Sequence, residues 1–168
     1  MCGSIATDVS SCQVIASTMI TPSMIKIRCC TEDDFEDILL LLHQLWPEKE
    51  IHPARLREVF LTGLGSSNQV FICAEIDSKV VGFRSLVVKN NLWQEGNLGH
   101  VDELVVDKTI RGRGIGGQLL QAITEKAEER RCMRFELDSA FHRKQAHEFY
   151  LANGFDNRAY LFSKTLKM

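Results

Sequence analysis

Apolar and polar residues alternate over Ile25–Cys30, the two-residue period of a strand. Thr31 followed by Glu32, Asp33 and Asp34 places a capping hydroxyl before acidic residues, which reads as a helix start. Phe35, Ile38, Leu39, Leu42 and Leu45 then share one helical face, and Trp46-Pro47 ends the run. Pro53 opens a second helical pattern through Leu56, Val59, Phe60 and Leu64, closed by Gly63 or Gly65. Gln69–Ile76 and Lys79–Lys89 are β-branched and aromatic runs split by Asp77-Ser78, a hairpin signal. Asn90–Gly99 reads as a polar loop and His100–Val106 as a third long strand. After the connector Asp107–Arg111 and the glycine-rich Gly112–Gly117, Ile115, Leu119, Ile123 and Ala127 recur at helical spacing through to Arg131. Met133–Leu137 predicts a short strand, and Arg143–Ala152 a helix ended by Asn153-Gly154. Phe155–Leu166 predicts one bent strand or two short ones. The element order is that of an α+β (mixed α/β) domain.

Length and composition narrow the possibilities. The 168 residues suit a single core, with no repeat or low-complexity linker. Residues 24–168 therefore read as one domain. Met1–Ser23 reads as a weakly ordered extension: it is rich in Ser and Thr, and no Lys or Arg precedes Lys26, which argues against a secretory signal. Twenty Lys+Arg against 22 Asp+Glu give a net charge of −2, which argues against a nucleic-acid partner. No apolar run approaches the ~20 residues a membrane span needs. The six cysteines are scattered, with no CxxC pair, and predict a reduced, cytoplasmic protein. His52, His100 and the cysteines form no metal-ligand spacing, so no metal is expected.

The strongest chemical signal is Arg111-Gly112-Arg113-Gly114-Ile115-Gly116-Gly117, after a strand and at the head of a helix. Backbone N–H groups there have no intrahelical partners, and the helix dipole adds positive potential. Glycines let the backbone approach phosphate oxygens, and arginines add charge. An ordinary strand-to-helix turn is one reading, weakened by two arginines among the glycines. A dinucleotide site is another, because Gly112, Gly114 and Gly117 satisfy GxGxxG and Asp138 falls about 20 residues on. Against it, five residues (107–111) separate strand from glycine, and only thirty (139–168) follow Asp138. A P-loop is excluded because no Lys-Ser or Lys-Thr follows.

A third reading is resemblance. Arg111-x-x-Gly114-x-Gly116, preceded by Glu103-Leu-Val-Val-Asp, resembles the acetyl-CoA signature of the GNAT N-acetyltransferase superfamily. The helix Ile115–Arg131, the strand Arg134–Asp138 and Ala146-x-x-x-Tyr150-x-x-x-Gly154-Phe155 continue the likeness in order. It carries motifs over residues 98–156 and agrees in element order from residue 25. It implies a central mixed, mostly antiparallel sheet with helices on both faces and splayed central strands. It also implies direct transfer of acetyl from acetyl-CoA to an amine.

The resemblance further implies roles for particular residues. The pyrophosphate would lie on Arg111, Gly112, Arg113, Gly114, Ile115 and Gly116, and the pantetheine along Leu104, Val105 and Val106, with a strand N–H facing the developing oxyanion. Tyr150 matches the general acid, and a phenol with pKa near ~10 suits a departing thiolate. The ordinary alternative is a core aromatic. Glu103 is the preferred base and Asp138 its rival, either of which could be structural; strand alternation would turn Asp102 to the opposite face from Glu103. Arg143 stands where many relatives carry Asn on the pantetheine arm, and could reach the phosphates instead. The acceptor side would come from Trp46–Leu64, Asn90–Asn97 and Asn157–Phe162, where Glu48, Glu50, Glu58 and Glu95 could draw a cation. His142-Arg143-Lys144 and Tyr160-x-Phe162-x-Lys164 look like small-molecule amine acetyltransferases of the aminoglycoside and aminoalkylphosphonate types. Protein acetyltransferase and non-catalytic acetyl-CoA-binding module remain competing readings, and a homodimer through terminal strands is possible.

Overall fold

The structure, a computed structural model, describes residues 24–166, so the extension Met1–Ser23 lies outside the described residues. Six strands form one sheet: β1 (Lys26–Cys29), β2 (Gln69–Ile76), β3 (Lys79–Asn91), β4 (Gly96–Val101), β5 (Leu104–Val106) and β6 (Cys132–Leu137). Four helices cover it: α1 (Phe35–Leu45), α2 (Pro53–Leu64), α3 (Ile115–Glu129) and α4 (Lys144–Ala152). The order is β1-β2-β3-β4-β6, with β5 also paired to β3. All pairings are antiparallel except β4 with β6.

Alternation along β3 divides the core into two layers. Phe83 packs with Phe35, Ile38, Leu42 and Phe60 of α1 and α2. Leu86 and Val88 pack with Ile115, Leu119 and Ile123 of α3. Each of these α3 side chains is almost fully buried and contributes about 2 kcal/mol by area. The hairpin turn works because Asp77 and Ser78 both adopt positive φ, matching the right-handed twist of β2 and β3. At the start of α1, the buried Asp34 carboxylate accepts the Thr31 N–H at 2.7 Å and a two-pronged bond from Arg28 at 2.7 Å.

The expected loop at Asn90–Gly99 is a protruding hairpin. Asn90 pairs with Asn97 and Asn91 with Gly96, beyond the edge of the core, so the ladder continues without apolar alternation. The expected single strand His100–Val106 is broken. Val87 pairs with His100 and Arg84 with Leu104, so β3 advances three residues (87 to 84) while its partner advances four (100 to 104). The extra residue is a β-bulge at Asp102–Glu103, which bends the chain. β4 stays with β6 up to Val101–Leu137, whereas β5 pairs only with β3. This is the splay of central strands that the resemblance implied.

The expected terminal strand over Phe155–Leu166 is absent from the described residues. Phe155 packs 5.6 Å from the Phe135 ring, but residues 156–166 are exposed and pair with no strand. No helix among the described residues is long and apolar enough to cross a membrane.

Candidate active site

The bulge opens a cleft between β5 and the chain beyond β6. Its volume is about 900 Å³, in the range of small-molecule sites. Leu104, Val105 and Val106 form one wall, the glycine loop a second, and His142–Ala146 with Phe149 a third. β5 bonds to β3 along one edge, so its other edge offers main-chain donors and acceptors to the cleft.

The glycine loop is held from three sides. Asp107 accepts bonds from Thr109 N–H at 2.8 Å, Thr109 Oγ1 at 2.6 Å and Gln44 Nε2 at 3.1 Å. These donors hold its carboxyl down at about 2. Gln44 Oε1 also accepts from the Lys108 N–H at 2.9 Å, tying the loop to α1. Arg111 Nε donates to the Val106 carbonyl at 2.9 Å, tying it to β5. Gly112 and Gly114 have φ of +80° and +79°, and a Cβ added at either meets nothing within 4 Å. The first turn of α3 has no side-chain cap. Its free N–H groups and the bare loop thus fit an anion the size of a pyrophosphate. Arg111, Gly112, Gly114, Ile115 and Gly116 line the cleft, and Arg143 lines it from the N-terminus of α4. Arg113 is exposed and outside that lining.

Tyr150 and Glu103 lie on opposite faces of the sheet. The Tyr150 ring packs edge-on against Phe149 at 5.5 Å and Phe155 at 5.7 Å, on the α3–α4 face. Burial pushes its phenol up, while Arg84 and Arg143 pull it down. Glu103 is bonded to Ser85, two residues on from Phe83 and therefore on the α1–α2 face. Burial raises the Glu103 carboxyl, and the Ser85 hydroxyl partly offsets this.

Asp138 is exposed, and its Oδ1 lies 3.9 Å from His100 Nε2. His100 Nδ1 bonds Asp102 at 2.8 Å, and that bond holds the imidazole up. Asp102 and His100, two residues apart, share a face as in any strand; the extra residue lets Glu103 join Ser85 on that same face, so Asp102 and Glu103 do not alternate. Two carboxylates, Asp102 and Asp138, thus flank one imidazole; neither they nor Glu103 nor Tyr150 is among the residues that line the cleft. The sequence reading missed this cluster. It also missed Ser85 and Arg84. Arg84 is fully buried on β3 opposite Leu104, and its three guanidinium nitrogens have no hydrogen-bond partner. Two polar residues inside the apolar run Val80–Val88 were the available signal.

The one trio of possible metal ligands among the described residues is Cys30, Asp34 and Cys73, whose ligand atoms lie within 4.8 Å of one another. Arg28 already holds both Asp34 oxygens, so a cation would have to displace an ion pair.

The Acetyltransferase (GNAT) family profile matches residues 34–155. The aminoalkylphosphonate N-acetyltransferase of Salmonella typhimurium is 30% identical over 141 residues, covering 84% of this chain and 91% of that protein. The glucosamine 6-phosphate N-acetyltransferase of Trypanosoma brucei brucei is 27% identical over 134 residues, covering 78% and 88%. Among solved structures, a transcriptional regulator from Bacillus halodurans superposes with a TM-score of 0.81 at 25% identity, over 85% of this chain and all of that one. With a bulged strand, a splayed sheet and a glycine loop at the head of α3, the chain belongs to the GNAT acetyltransferase family.

Proposed function

We propose that the protein transfers acetyl from acetyl-CoA to the primary amine of a small molecule, with Tyr150 as general acid and Glu103 as base. The observation that carries this reading is the placement of the two groups on opposite faces of the sheet, near the point where β5 departs from the line of β4. An amine attacking from one face and a sulfur departing on the other need such a pair.

The residues divide the work. Arg111, Gly112, Gly114, Ile115 and Gly116 receive the phosphates, with Arg143 at the neighbouring wall; Arg113 adds positive potential from solvent. The free edge of Leu104–Val106 aligns the pantetheine amides, and one of its N–H groups polarises the thioester carbonyl. Acetyl-CoA, the family's acyl donor, supplies the activated acetyl group. Glu103 takes the proton of the incoming ammonium, directly or through water. A carboxyl raised by burial suits that task, since it holds a proton more readily than an ordinary carboxylate does. Asp138 and Asp102, flanking His100, draw the cationic acceptor toward the sheet face that carries Glu103.

The two relatives described above bear names of amines that also carry an acidic phosphorus group, which favours a small acceptor over a lysine peptide. The exposed Tyr160, Leu161, Phe162 and Leu166 and the unpaired side of β6 support a homodimer. Free thiols at Cys29, Cys30, Cys73 and Cys132 fit a cytoplasmic setting. The test is release of CoA thiol from acetyl-CoA across aminophosphonates, amino-sugar phosphates, aminoglycosides, polyamines and lysine peptides, with wild type and Tyr150→Phe in parallel. Release with one small-amine class, lost in the variant, is expected. Turnover of peptides alone would overturn the substrate class, and tight cofactor binding without any turnover would favour a non-catalytic module.

A further inference from the structure

Arg84 has no anion to serve. It is fully buried, and none of its guanidinium nitrogens has a hydrogen-bond partner. A side chain with five donors is almost never left this way, because an unpaired buried charge is strongly unfavourable. One aromatic ring lies within reach of it, and further rings run on from that one. Its guanidinium carbon lies 5.7 Å from the Phe135 ring centre; Phe135 lies 5.6 Å from Phe155, and Phe155 lies 5.7 Å from Tyr150. Burial lowers the Arg84 guanidinium to about 10, which leaves it charged at neutral pH, and Tyr150 is the ionisable group that works against this lowering.

We propose that Arg84 is a positioning residue of the acetyl transfer: its unpaired charge is held in reserve for the phenolate that Tyr150 becomes when it protonates the departing sulfur. The proposal rests on the role of Tyr150 given above. In that step the amine lone pair forms the new C–N bond, the C–S bond breaks with its pair on sulfur, and the proton that the new amide nitrogen must shed goes to solvent water. The Tyr150 O–H bond then breaks and an S–H bond forms. One negative charge moves from sulfur to the phenol oxygen, while the ammonium proton has gone to Glu103. A phenolate in an apolar pocket needs a counter-charge in place beforehand, and Arg84 supplies it without reorganisation.

Few other charges compete for this role. From α4, Arg143 also reaches Tyr150, but it lies on the cleft wall in contact with solvent. His147 spends Nε2 on the Ala140 carbonyl at 3.1 Å, Lys144 and Glu148 are exposed, and Arg134 of β6 lies 5.6 Å from the Trp93 ring. Glu136 of β6 pairs in register with His100. Leu104 and Val106 of β5, Leu137 of β6 and the buried Ile115 and Leu119 of α3 carry no charge.

The test compares wild type, Arg84→Met, Arg84→Lys and Tyr150→Phe. The chain has two tyrosines, so Tyr150→Phe assigns the Tyr150 wave in an alkaline titration of phenolate absorbance, with circular dichroism marking the folded range. Arg84→Met should move that wave up by about one pH unit or more, and Arg84→Lys should largely restore it. With a turned-over amine, Arg84→Met should lower kcat about tenfold or more, leave the KM for acetyl-CoA within about twofold, and shift the alkaline limb with the phenol wave. Its melting temperature should not fall, because a buried unpaired charge gives way to an apolar chain of similar length. A Tyr150 wave in Arg84→Met that coincides with wild type, or stays silent in both, overturns the proposal. So does a drop in melting temperature with unchanged titration, which marks an ordinary structural arginine. If no amine is turned over, the transferase reading fails, and the titration still decides the Arg84–Tyr150 pairing.

Discussion

Ser85 and Glu103 grip each other through three groups: the Ser85 hydroxyl donates to the Glu103 carboxylate, the Glu103 N–H donates to Ser85 Oγ at 3.0 Å, and the Ser85 N–H donates to the Glu103 carbonyl at 3.2 Å. The bulge is thereby fastened to β3 at the residue read as the base. Removing the hydroxyl should act through the carboxylate it stabilises. In Ser85→Ala the Glu103 carboxyl, already raised by burial, loses the group that lowers it and rises further. A base works in its ionised form, so the acidic limb of kcat/KM should move to higher pH. Turnover at pH 6 should fall more than at pH 9, and acetyl-CoA affinity should hold. A pH-rate profile of the variant checks this; an unmoved acidic limb would detach Glu103 from the chemistry.

Glu103→Gln and Asp138→Asn separate the two carboxylates. Glu103 is half-buried, and Asp138 is exposed beside a histidine whose imidazole its neighbour Asp102 holds up. Burial favours Glu103 as the proton acceptor. Glu103→Gln should lower turnover about a hundredfold at neutral pH. Its residual activity should rise with pH as more acceptor becomes free amine. Asp138→Asn should raise the KM for a cationic acceptor a few-fold, in a salt-dependent way, with kcat nearly intact. The reverse pattern in steady-state kinetics would exchange the two assignments.

What the chain reveals before folding follows the periodicities that burial imposes. α1, α2, α3 and the β2–β3 hairpin were legible because one face of each is buried and its apolar residues repeat accordingly. The glycine loop was legible because positive φ at Gly112 and Gly114 demands glycine. The Asn90–Asn91 and Gly96–Asn97 pairing was not, since a hairpin beyond the core has no face to mark it. Nor was the bulge. HVDELVV reads as an uninterrupted strand, and the extra residue shows only when the pairings of Val87 and Arg84 are compared. That one-residue slip puts Glu103 on the face that His100 and Asp102 share, against the alternation that would have separated Asp102 from Glu103. The terminal run Tyr160–Leu166 has strand-like residues but no strand beside it, and composition cannot supply a partner.

Gly114 tests the anion cradle. Its φ of +79° is a conformation that costs an L-residue about 1–2 kcal/mol, although nothing stands within 4 Å of an added Cβ. Gly114→Ala should therefore lower the melting temperature modestly and weaken acetyl-CoA binding several-fold. Gly114→Asp should weaken it much further, because a carboxylate would face the phosphates. The fraction of activity at saturating cofactor should be retained better than the affinity. Calorimetric titration with CoA checks both variants, and equal affinity for Gly114→Asp and wild type would remove the pyrophosphate from this loop.

Asp107 couples the same loop to α1 through Gln44, and its pH dependence has a defined sign. Its carboxyl sits at about 2, depressed by its Thr109 and Gln44 donors from an ordinary value of 3.8. A depressed carboxyl contributes its stabilisation above the unfolded value and loses it as pH falls through the folded one. The loop should thus keep its shape from pH 9 down to about 4 and loosen between about 4 and 2. The group is only half-buried, so solvent screening keeps its contribution to global stability small. The local effect is the one to measure. Asp107→Ala leaves the Thr109 N–H and Gln44 Nε2 without their acceptor and frees the chain ahead of Arg111. CoA affinity should fall about three- to tenfold at every pH above 4, with kcat at saturation little changed. Gln44→Ala should weaken CoA binding to a similar degree, and the double variant should lose little more than either alone, because both changes open the same clasp.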